Sequence, residues 1–239
     1  MKKYILLLLL LIACSQPVQP AIQQPPLKPL TGPPPSGLAT TTDGATLAYQ
    51  IYPAKAGSPS VILLHMLRRD RTDWDSIAKW LQKSGYTVIV PDLRGHGQST
   101  GNWEEFTPED FNKMTHDVAA MKSVLTSQGA NTKRLAIIGA SIGANIAYNY
   151  AVGDSDVQTV VLLSPGLEYR GVKIDPAQLK IPFLVVASKD DNYSLVTAQE
   201  LEKNTKARMT IYEDAGHGTN MFVKNDLAPR ILNWFKELV

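Results

Sequence analysis

The sequence predicts an α/β fold: a mostly parallel sheet of about eight strands, with helices on both faces and an antiparallel hairpin at its amino end. From residue 60 onward, short apolar runs alternate with segments of helical periodicity, which is typical of a parallel sheet with helical crossovers. The runs are solidly apolar, as in Val61–Leu64, and this favours strands that are covered on both faces. Asp43-Gly44 between two extended segments predicts the hairpin turn.

The predicted elements follow one another between residues 38 and 239. The strands are expected at residues 38–42, 45–53, 61–65, 86–90, 134–138, 157–163, 181–187 and 208–212. The helices are expected at residues 73–84, 107–128, 142–152, 195–204 and 222–238, the last with a bend at Pro229. Thr107-Pro108 marks one helix start, because threonine caps a helix and proline suits its first position.

Composition excludes several classes of function. The chain has 24 basic and 22 acidic side chains, without the gathered basic excess that is usual for nucleic-acid binding, so no nucleic-acid partner is expected. No G-x-G-x-x-G motif follows a strand and no Walker A loop occurs, so the main sequence support for a nucleotide cofactor is missing. We therefore predict no cofactor and no metal site.

The first 14 residues predict an export signal. Lys2 and Lys3 precede the aliphatic run Ile5–Ile12, which ends at the small residue Ala13. As a helix this run covers only about half of a bilayer's hydrocarbon core, so it cannot span the membrane and fits a secretory signal peptide over residues 1–13. The formal charge of +2 comes from its two lysines.

The end of this signal, Leu11-Ile12-Ala13-Cys14, resembles a bacterial lipobox. The resemblance implies that Cys14 becomes a lipid-modified amino terminus, through which alone the protein contacts the membrane. The expected location is then the bacterial cell envelope: the outer membrane in a Gram-negative cell, otherwise the outer face of the cell membrane. The alternative is an ordinary signal peptide with an incidental cysteine.

Residues 14–37 predict a tether between the lipid and the folded domain. Eight of the chain's 16 prolines fall here, with one charged residue, Lys28. Such a segment cannot bury enough apolar surface to offset its ordering entropy, and proline favours an extended chain. A proline-rich ligand for another protein is the less favoured interpretation. Residues 38–239 then form one domain.

The segment Gly139-Ala140-Ser141-Ile142-Gly143 predicts a nucleophile. It follows an apolar strand and opens a helix, and the glycines permit a sharp turn that exposes the serine hydroxyl at the carboxyl edge of the sheet. The amino end of the helix behind it offers free N–H groups to a developing oxyanion. The alternative is a serine that merely caps the helix.

A base and an acid are expected from the two final strands. His217 lies in Ala215-Gly216-His217-Gly218 after the last strand, a place that is hard to explain by packing. Asp190 or Asp191, after the preceding strand, can orient it. The order Ser, Asp, His is that of α/β-hydrolases.

At this level the chain resembles the α/β-hydrolase superfamily, and within it the compact dienelactone-hydrolase-like serine esterases. The motifs that carry the resemblance are the oxyanion turn at residues 63–67, the D-x-R-G-x-G-x-S loop at residues 92–99, the nucleophile elbow at residues 139–143, and the G-x-x-D-like segment at residues 187–190. The resemblance implies Ser141 as nucleophile, His217 as base and Asp190 as the acid. It also implies an oxyanion hole formed by the backbone amides of Leu67 and Ile142.

Two departures qualify the resemblance. Met66 replaces the usual glycine of the oxyanion turn, which narrows the pocket, and the nucleophile is a serine where dienelactone hydrolase uses cysteine. His65 and His96 are expected to fix the conformations of the two loops that contain them. Arg68, Arg69 and Arg71 either attract an anionic substrate or belong to a solvated loop, the more ordinary interpretation.

The expected activity is that of a carboxylesterase. Residues 164–180 are too few for a helical cap, and we expect a turn and one short helix there. An open site favours small or exposed acyl esters as substrates. The alternatives are a thioesterase or a peptidase on the same triad, or a non-catalytic surface binding domain that keeps the fold.

Overall fold

The computed structural model describes residues 35–239, apart from the side chain of Asn204. The predicted signal peptide, Cys14 and all but the last three residues of the predicted tether lie outside these residues. No helix between residues 35 and 239 is both long and apolar enough to cross a bilayer.

Ten strands and six α-helices form in residues 35–239. The strands are β1 (Gly37–Thr40), β2 (Thr46–Tyr52), β3 (Pro59–Leu64), β4 (Thr87–Pro91), β5 (Asn131–Ala140), β6 (Val157–Leu163), β7 (Glu168–Tyr169), β8 (Val172–Lys173), β9 (Phe183–Ser188) and β10 (Ala207–Tyr212). The helices are α1 (Asp75–Lys83), α2 (Pro108–Asn112), α3 (Met114–Ser127), α4 (Ile142–Gly153), α5 (Asn192–Asn204) and α6 (Leu227–Leu238). Short 3-10 helices cover Arg71–Trp74, Trp103–Glu105 and Gly218–Val223.

Eight of the strands form one sheet in the order β1-β2-β4-β3-β5-β6-β9-β10. Strand β2 pairs antiparallel with β1 and with β4, and the remaining pairs are parallel. The predicted fold class is therefore confirmed, including the strand number and the antiparallel hairpin at the amino end.

Apolar side chains cover both faces of the sheet. On one face, side chains of α3, α4 and α5 pack in a single cluster that includes Met121, Ile146 and Leu201. On the other face, α1 and α6 contribute Leu81 and Phe235 to a second cluster. The central strands are buried on both sides, which explains why their sequences are apolar at every position rather than at alternate ones.

Several helix boundaries differ from the prediction, two of them substantially. The helix expected at residues 107–128 is split into α2 and α3, with Lys113 between them. The helix expected from residue 222 begins instead at Leu227, so that Pro229 lies in its first turn, where a missing N–H costs no hydrogen bond. The predicted bend at Pro229 is therefore wrong.

The insert at residues 164–180 also differs from the prediction, because it contains a β-hairpin and no helix. Strands β7 and β8 pair through Tyr169 and Val172. The two turn residues have positive φ, 53° at Arg170 and 84° at Gly171, as a tight two-residue hairpin turn requires. The site therefore has a short hairpin beside it and no large lid.

Helix α4 meets strand β3 at unusually short range. A Cβ atom added to Gly143 would lie 2.6 Å from the carbonyl oxygen of Leu64 and 2.7 Å from that of His65. Only glycine permits this backbone approach, which sets the start of α4 against the carboxyl end of β3.

Replacement of Gly143 by alanine should therefore destabilise the protein by about 1–3 kcal/mol, because the added methyl group meets backbone rather than a flexible side chain. Urea unfolding would measure the change. Gly153→Ala in the same helix is the matched control, since a Cβ there meets nothing within 4 Å. An equal loss of stability in both variants would contradict the close-approach argument.

Candidate active site

The predicted site residues gather at the carboxyl edge of the parallel strands, as ligand sites do in open α/β sheets. The turn that contains Leu67 follows β3, Ser141 follows β5, Asp190 and Asp191 follow β9, and His217 lies beyond β10. Strand order brings them close in space, since β3 is paired with β5, β9 is paired with β10, and only β6 lies between these two pairs.

Ser141 lies in a strained strand-to-helix turn. Its φ of 55° and ψ of −123° place it among the four non-glycine residues with positive φ in residues 35–239. Its amide donates a 2.8 Å hydrogen bond to the carbonyl oxygen of Leu163 in β6, and a Cβ at Gly139 would overlap the backbone of Gly143. Such strain persists only where the surroundings enforce it, and it is typical of functional sites.

The acid that contacts His217 is Asp191. His217 Nδ1 lies 2.7 Å from Asp191 Oδ2, and the Asp191 side chain is mostly buried while the imidazole is partly exposed. Asp191 occupies the capping position of α5 but makes no capping hydrogen bond with its side chain, because that side chain is directed to the histidine. The prediction that Asp190 orients His217 is therefore wrong.

Asp190 instead holds the backbone of the loop that carries the histidine. Its carboxylate accepts hydrogen bonds from the Ser188 hydroxyl and from the Gly216 amide, the latter at 3.1 Å. The Ser188 hydroxyl and the backbone amides keep the pKa of Asp190 below its usual value. The two aspartates are neighbours in sequence, but one turns toward the loop backbone and the other toward the ring.

Several hydroxyl groups support Asp191. Burial alone would raise the pKa of Asp191, yet the pKa lies below its usual value, because hydrogen bonds with Ser194, His217 and Ser164 favour the carboxylate. Ser164 also accepts a 2.9 Å hydrogen bond from the Gly218 amide, so the same residue contacts the acid and the histidine loop. At Gly218 a Cβ would overlap the side chain of Met66. Met66 therefore packs against the histidine loop.

Tyr169, in the hairpin, is a site residue that the sequence analysis missed. Its hydroxyl lies 3.3 Å from Ser194 Oγ, and its ring meets the His217 ring edge-on, with centroids 6.3 Å apart. Burial raises the pKa of Tyr169 to about 12, against the opposing effect of its interactions with the Ser194 and Ser141 hydroxyls. The phenol thus stays protonated within the candidate site.

The hydrogen bonds of residues 35–239 include none between the Ser141 hydroxyl and His217. Catalytic hydrogen bonds are often long before substrate binds.

The amides of Leu67 and Ile142 have no hydrogen-bond acceptor within residues 35–239. For Ile142 this follows from its place at the first position of α4, where N–H groups lack an intrahelical partner. Both amides are thus available to an oxyanion.

His65 joins the oxyanion turn to the loop after β4. Its Nδ1 lies 2.7 Å from the carbonyl oxygen of Met66, and its Nε2 accepts a 2.9 Å hydrogen bond from the Leu93 amide. The His96 ring packs edge-on against it at 5.0 Å. Both rings are buried, and burial lowers the pKa of His65 to about 4 and that of His96 to about 3.

The three arginines of the oxyanion loop differ from one another. Arg71 is buried and forms an ion pair with Asp92, so it belongs neither to a solvated loop nor to a substrate site. Arg69 is half exposed and lies 3.8 Å from Asp73. Arg68 is exposed and stacks on the ring of Trp103, with its guanidinium carbon 5.5 Å from the ring centre.

The buried His65 ring should make stability depend on pH. Below the ordinary histidine pKa of 6.5 the unfolded chain binds a proton, whereas folded His65 does so only near pH 4; stability is therefore lost as the pH falls through this window. We expect His65→Gln to destabilise the protein at pH 7.5, and the loss to be roughly 1–2 kcal/mol smaller at pH 5, because the variant lacks this proton penalty. Urea unfolding at both pH values measures the difference, and an identical loss at both would refute it.

The chain resembles proteins of known family in sequence and in fold. A family profile described as serine aminopeptidase, S33, matches residues 58–176. The bifunctional esterase/perhydrolase of Acinetobacter calcoaceticus is 28% identical over 208 residues, which cover 84% of this chain and 67% of that protein. The chain spans 38% to 45% of the length of several other curated relatives.

Solved structures share the fold over most of the chain. The α/β hydrolase GrgF of a Penicillium species superposes with a TM-score of 0.70 at 17% identity, covering 84% of this chain and 97% of that one. An esterase from Pyrococcus furiosus gives a TM-score of 0.67 at 18% identity, covering 84% and 91%. Together with the strand order of the sheet, these matches show that the chain has the α/β-hydrolase fold.

Proposed function

We propose that the protein is a serine carboxylesterase that acts on small or exposed acyl esters through Ser141, His217 and Asp191. The observation that carries this proposal is the 2.7 Å contact between His217 Nδ1 and Asp191 Oδ2, formed at the sheet edge where Ser141 occupies the strained elbow. A partly exposed imidazole with a mostly buried carboxylate behind it is the arrangement that a serine nucleophile needs.

In the first half-reaction, His217 Nε2 accepts the Ser141 proton while Ser141 Oγ attacks the ester carbonyl carbon. Asp191 fixes the tautomer of the ring and stabilises its protonated form. The amides of Leu67 and Ile142 bind the oxyanion of the tetrahedral intermediate. The intermediate collapses when the bond to the alcohol breaks, and the alcohol leaves with the proton from His217.

In the second half-reaction, water replaces the alcohol. His217 accepts a proton from the water as its oxygen attacks the acyl-enzyme carbonyl carbon, and the same amides bind the second oxyanion. Cleavage of the bond to Ser141 Oγ releases the carboxylic acid, and the proton returns from His217 to Ser141. The protein groups return to their starting state.

The short insert supports small or exposed substrates. Residues 164–180 form the hairpin of β7 and β8 instead of a helical cap, and α4 holds this hairpin firmly. Asn145 Nδ2 donates 2.8 Å hydrogen bonds to the carbonyl oxygens of Gly166 and Val172. A hairpin fixed at both ends is a wall of the site and does not enclose a long acyl chain.

The two adjacent aspartates provide a sharp test of the triad. Asp191→Asn should reduce kcat by about 10⁴-fold, as loss of the orienting carboxylate does in serine hydrolases. Asp190→Asn is the matched control and should retain most of the activity, since Asp190 contacts the loop backbone and Ser188 rather than the ring. Ester hydrolysis by the two variants measures this, and a larger loss in Asp190→Asn would reverse the assignment.

A fluorophosphonate probe tests the nucleophile. The full-length protein should be labelled covalently, and Ser141→Ala should abolish labelling, because only an activated serine reacts. Short-chain nitrophenyl esters should then be hydrolysed faster than long-chain ones. Absence of Ser141-dependent labelling would leave only a binding domain with this fold.

The aminopeptidase description of the matching family profile favours a second candidate, a peptidase on the same triad. Amino-acid nitroanilides assayed beside the nitrophenyl esters separate the two, and short-chain acyl thioesters separate a thioesterase. Turnover of the nitroanilides or the thioesters at a higher kcat/KM than the esters would replace the carboxylesterase assignment.

We also propose that the protein acts at the bacterial cell envelope, where a lipid on Cys14 would anchor it and residues 14–37 would separate it from the membrane. The support is the lipobox-like end of the signal segment. The same labelling experiment tests this location: labelled protein is expected in the membrane fraction, and Cys14→Ser should prevent its lipid modification. Labelled wild-type protein in the soluble fraction would contradict the anchor.

A further inference from the structure

Two arginines contact one indole ring, and each directly follows a residue of the candidate site. The guanidinium carbon of Arg68 lies 5.5 Å from the centre of the Trp103 ring, and that of Arg170 lies 6.0 Å from the same centre. Arg68 directly follows Leu67, whose amide is available to an oxyanion, and Arg170 directly follows Tyr169, whose ring meets that of His217 edge-on. The two cations therefore come from two different walls of the site.

Neither arginine has a carboxylate partner within residues 35–239, although the arginines closest to Arg68 in sequence do: Arg69 contacts Asp73, and Arg71 contacts Asp92. Glu168, beside the hairpin arginine, lies 3.6 Å from Lys173 instead. Two like charges held near one ring repel each other, and a bound anion would offset that repulsion.

The backbone holds both arginines in place. Each has a left-handed conformation, with φ of 64° at Arg68 and 53° at Arg170, which costs a residue with a side chain about 1–2 kcal/mol. The hairpin turn is further fixed at Gly171, whose carbonyl oxygen accepts a 3.1 Å hydrogen bond from Asn112 Nδ2. The oxyanion turn is closed by the Arg69 amide, 3.2 Å from the Met66 carbonyl oxygen.

We propose that Arg68, Trp103 and Arg170 form a carboxylate-binding subsite, and that the ester cleaved at Ser141 carries a carboxylate. Guanidinium groups bind carboxylates through paired, charge-assisted hydrogen bonds, and the partly buried indole, on which the His96 ring is stacked at 5.8 Å, holds the two cations by cation–π contacts. Half-esters of dicarboxylic acids and esters of hydroxybenzoates have this chemistry. The inference rests on the proposed esterase function.

Matched esters on the full-length protein test the subsite. 4-Acetoxybenzoate is compared with 4-acetoxybenzamide, and monoethyl adipate with ethyl hexanoate, so that the charge lies on the alcohol side or on the acyl side. We expect a higher kcat/KM for the anionic member of at least one pair. Arg68→Gln and Arg170→Gln should each lower that value by about tenfold, the effect of one charged hydrogen bond, with little change for the neutral ester.

Arg69→Gln is the matched control, because it removes the same charge from an adjacent, half-exposed arginine that contacts Asp73 instead of Trp103. It should leave the preference for the anionic ester nearly unchanged. No preference in the wild-type protein, equal effects of Arg68→Gln on charged and neutral esters, or the same loss in Arg69→Gln would each overturn the subsite.

A binding measurement separates failure of the subsite from failure of the esterase proposal. In Ser141→Ala protein, calorimetry should show tighter binding of the anionic than of the neutral ester in at least one of the same two pairs, and Arg170→Gln in the same background should remove the difference. This result supports the subsite even if no ester is hydrolysed. Equal binding of the two esters in both pairs would overturn the subsite, while hydrolysis of neutral esters by the wild-type protein would leave the esterase proposal intact.

Discussion

The close approach between the start of α4 and the ends of β3 and β5 is the constraint on which the rest of the site depends. Gly139 and Gly143 leave room for backbone to meet backbone, and Ser141 between them takes a positive φ because no other conformation completes so sharp a turn. The serine hydroxyl, the free amide of Ile142 and the oxyanion turn after β3 are all placed by this one contact. Any side chain at Gly143 would move them together.

A second layer of hydrogen bonds ties the histidine loop to the sheet. Ser164, which follows β6, contacts both the Gly218 amide and the Asp191 carboxylate. Asp190 accepts a hydrogen bond from the Gly216 amide. The loop therefore has fixed points on both sides of His217, which its glycines alone would not supply. The two adjacent aspartates therefore have different roles: Asp191 orients the imidazole ring of His217, and Asp190 orients the backbone of the loop.

The hairpin of β7 and β8 adds side chains to the candidate site that the strands of the main sheet do not supply. An insert of two strands and a two-residue turn brings Tyr169 to His217 and Arg170 to Trp103. The fixed hydrogen bonds of Asn145 and Asn112 make the hairpin part of the framework. The proposed selection of substrate then depends on a few side chains at its turn and requires no moving lid.

The sequence by itself determined the fold class, the order in which the site residues follow successive strands, and the choice of Ser141 and His217 as candidate site residues. Apolar runs and the spacing of glycines report which segments are buried and where the backbone turns sharply, and these properties are local. It did not determine which of two adjacent aspartates faces the histidine, nor that Tyr169, Arg68 and Arg170 converge on the same site. Those outcomes depend on the direction of each side chain. The backbone dihedral angles of the turns and the packing of the hairpin against α2 and α4 set these directions, and both arise only when the whole chain is folded.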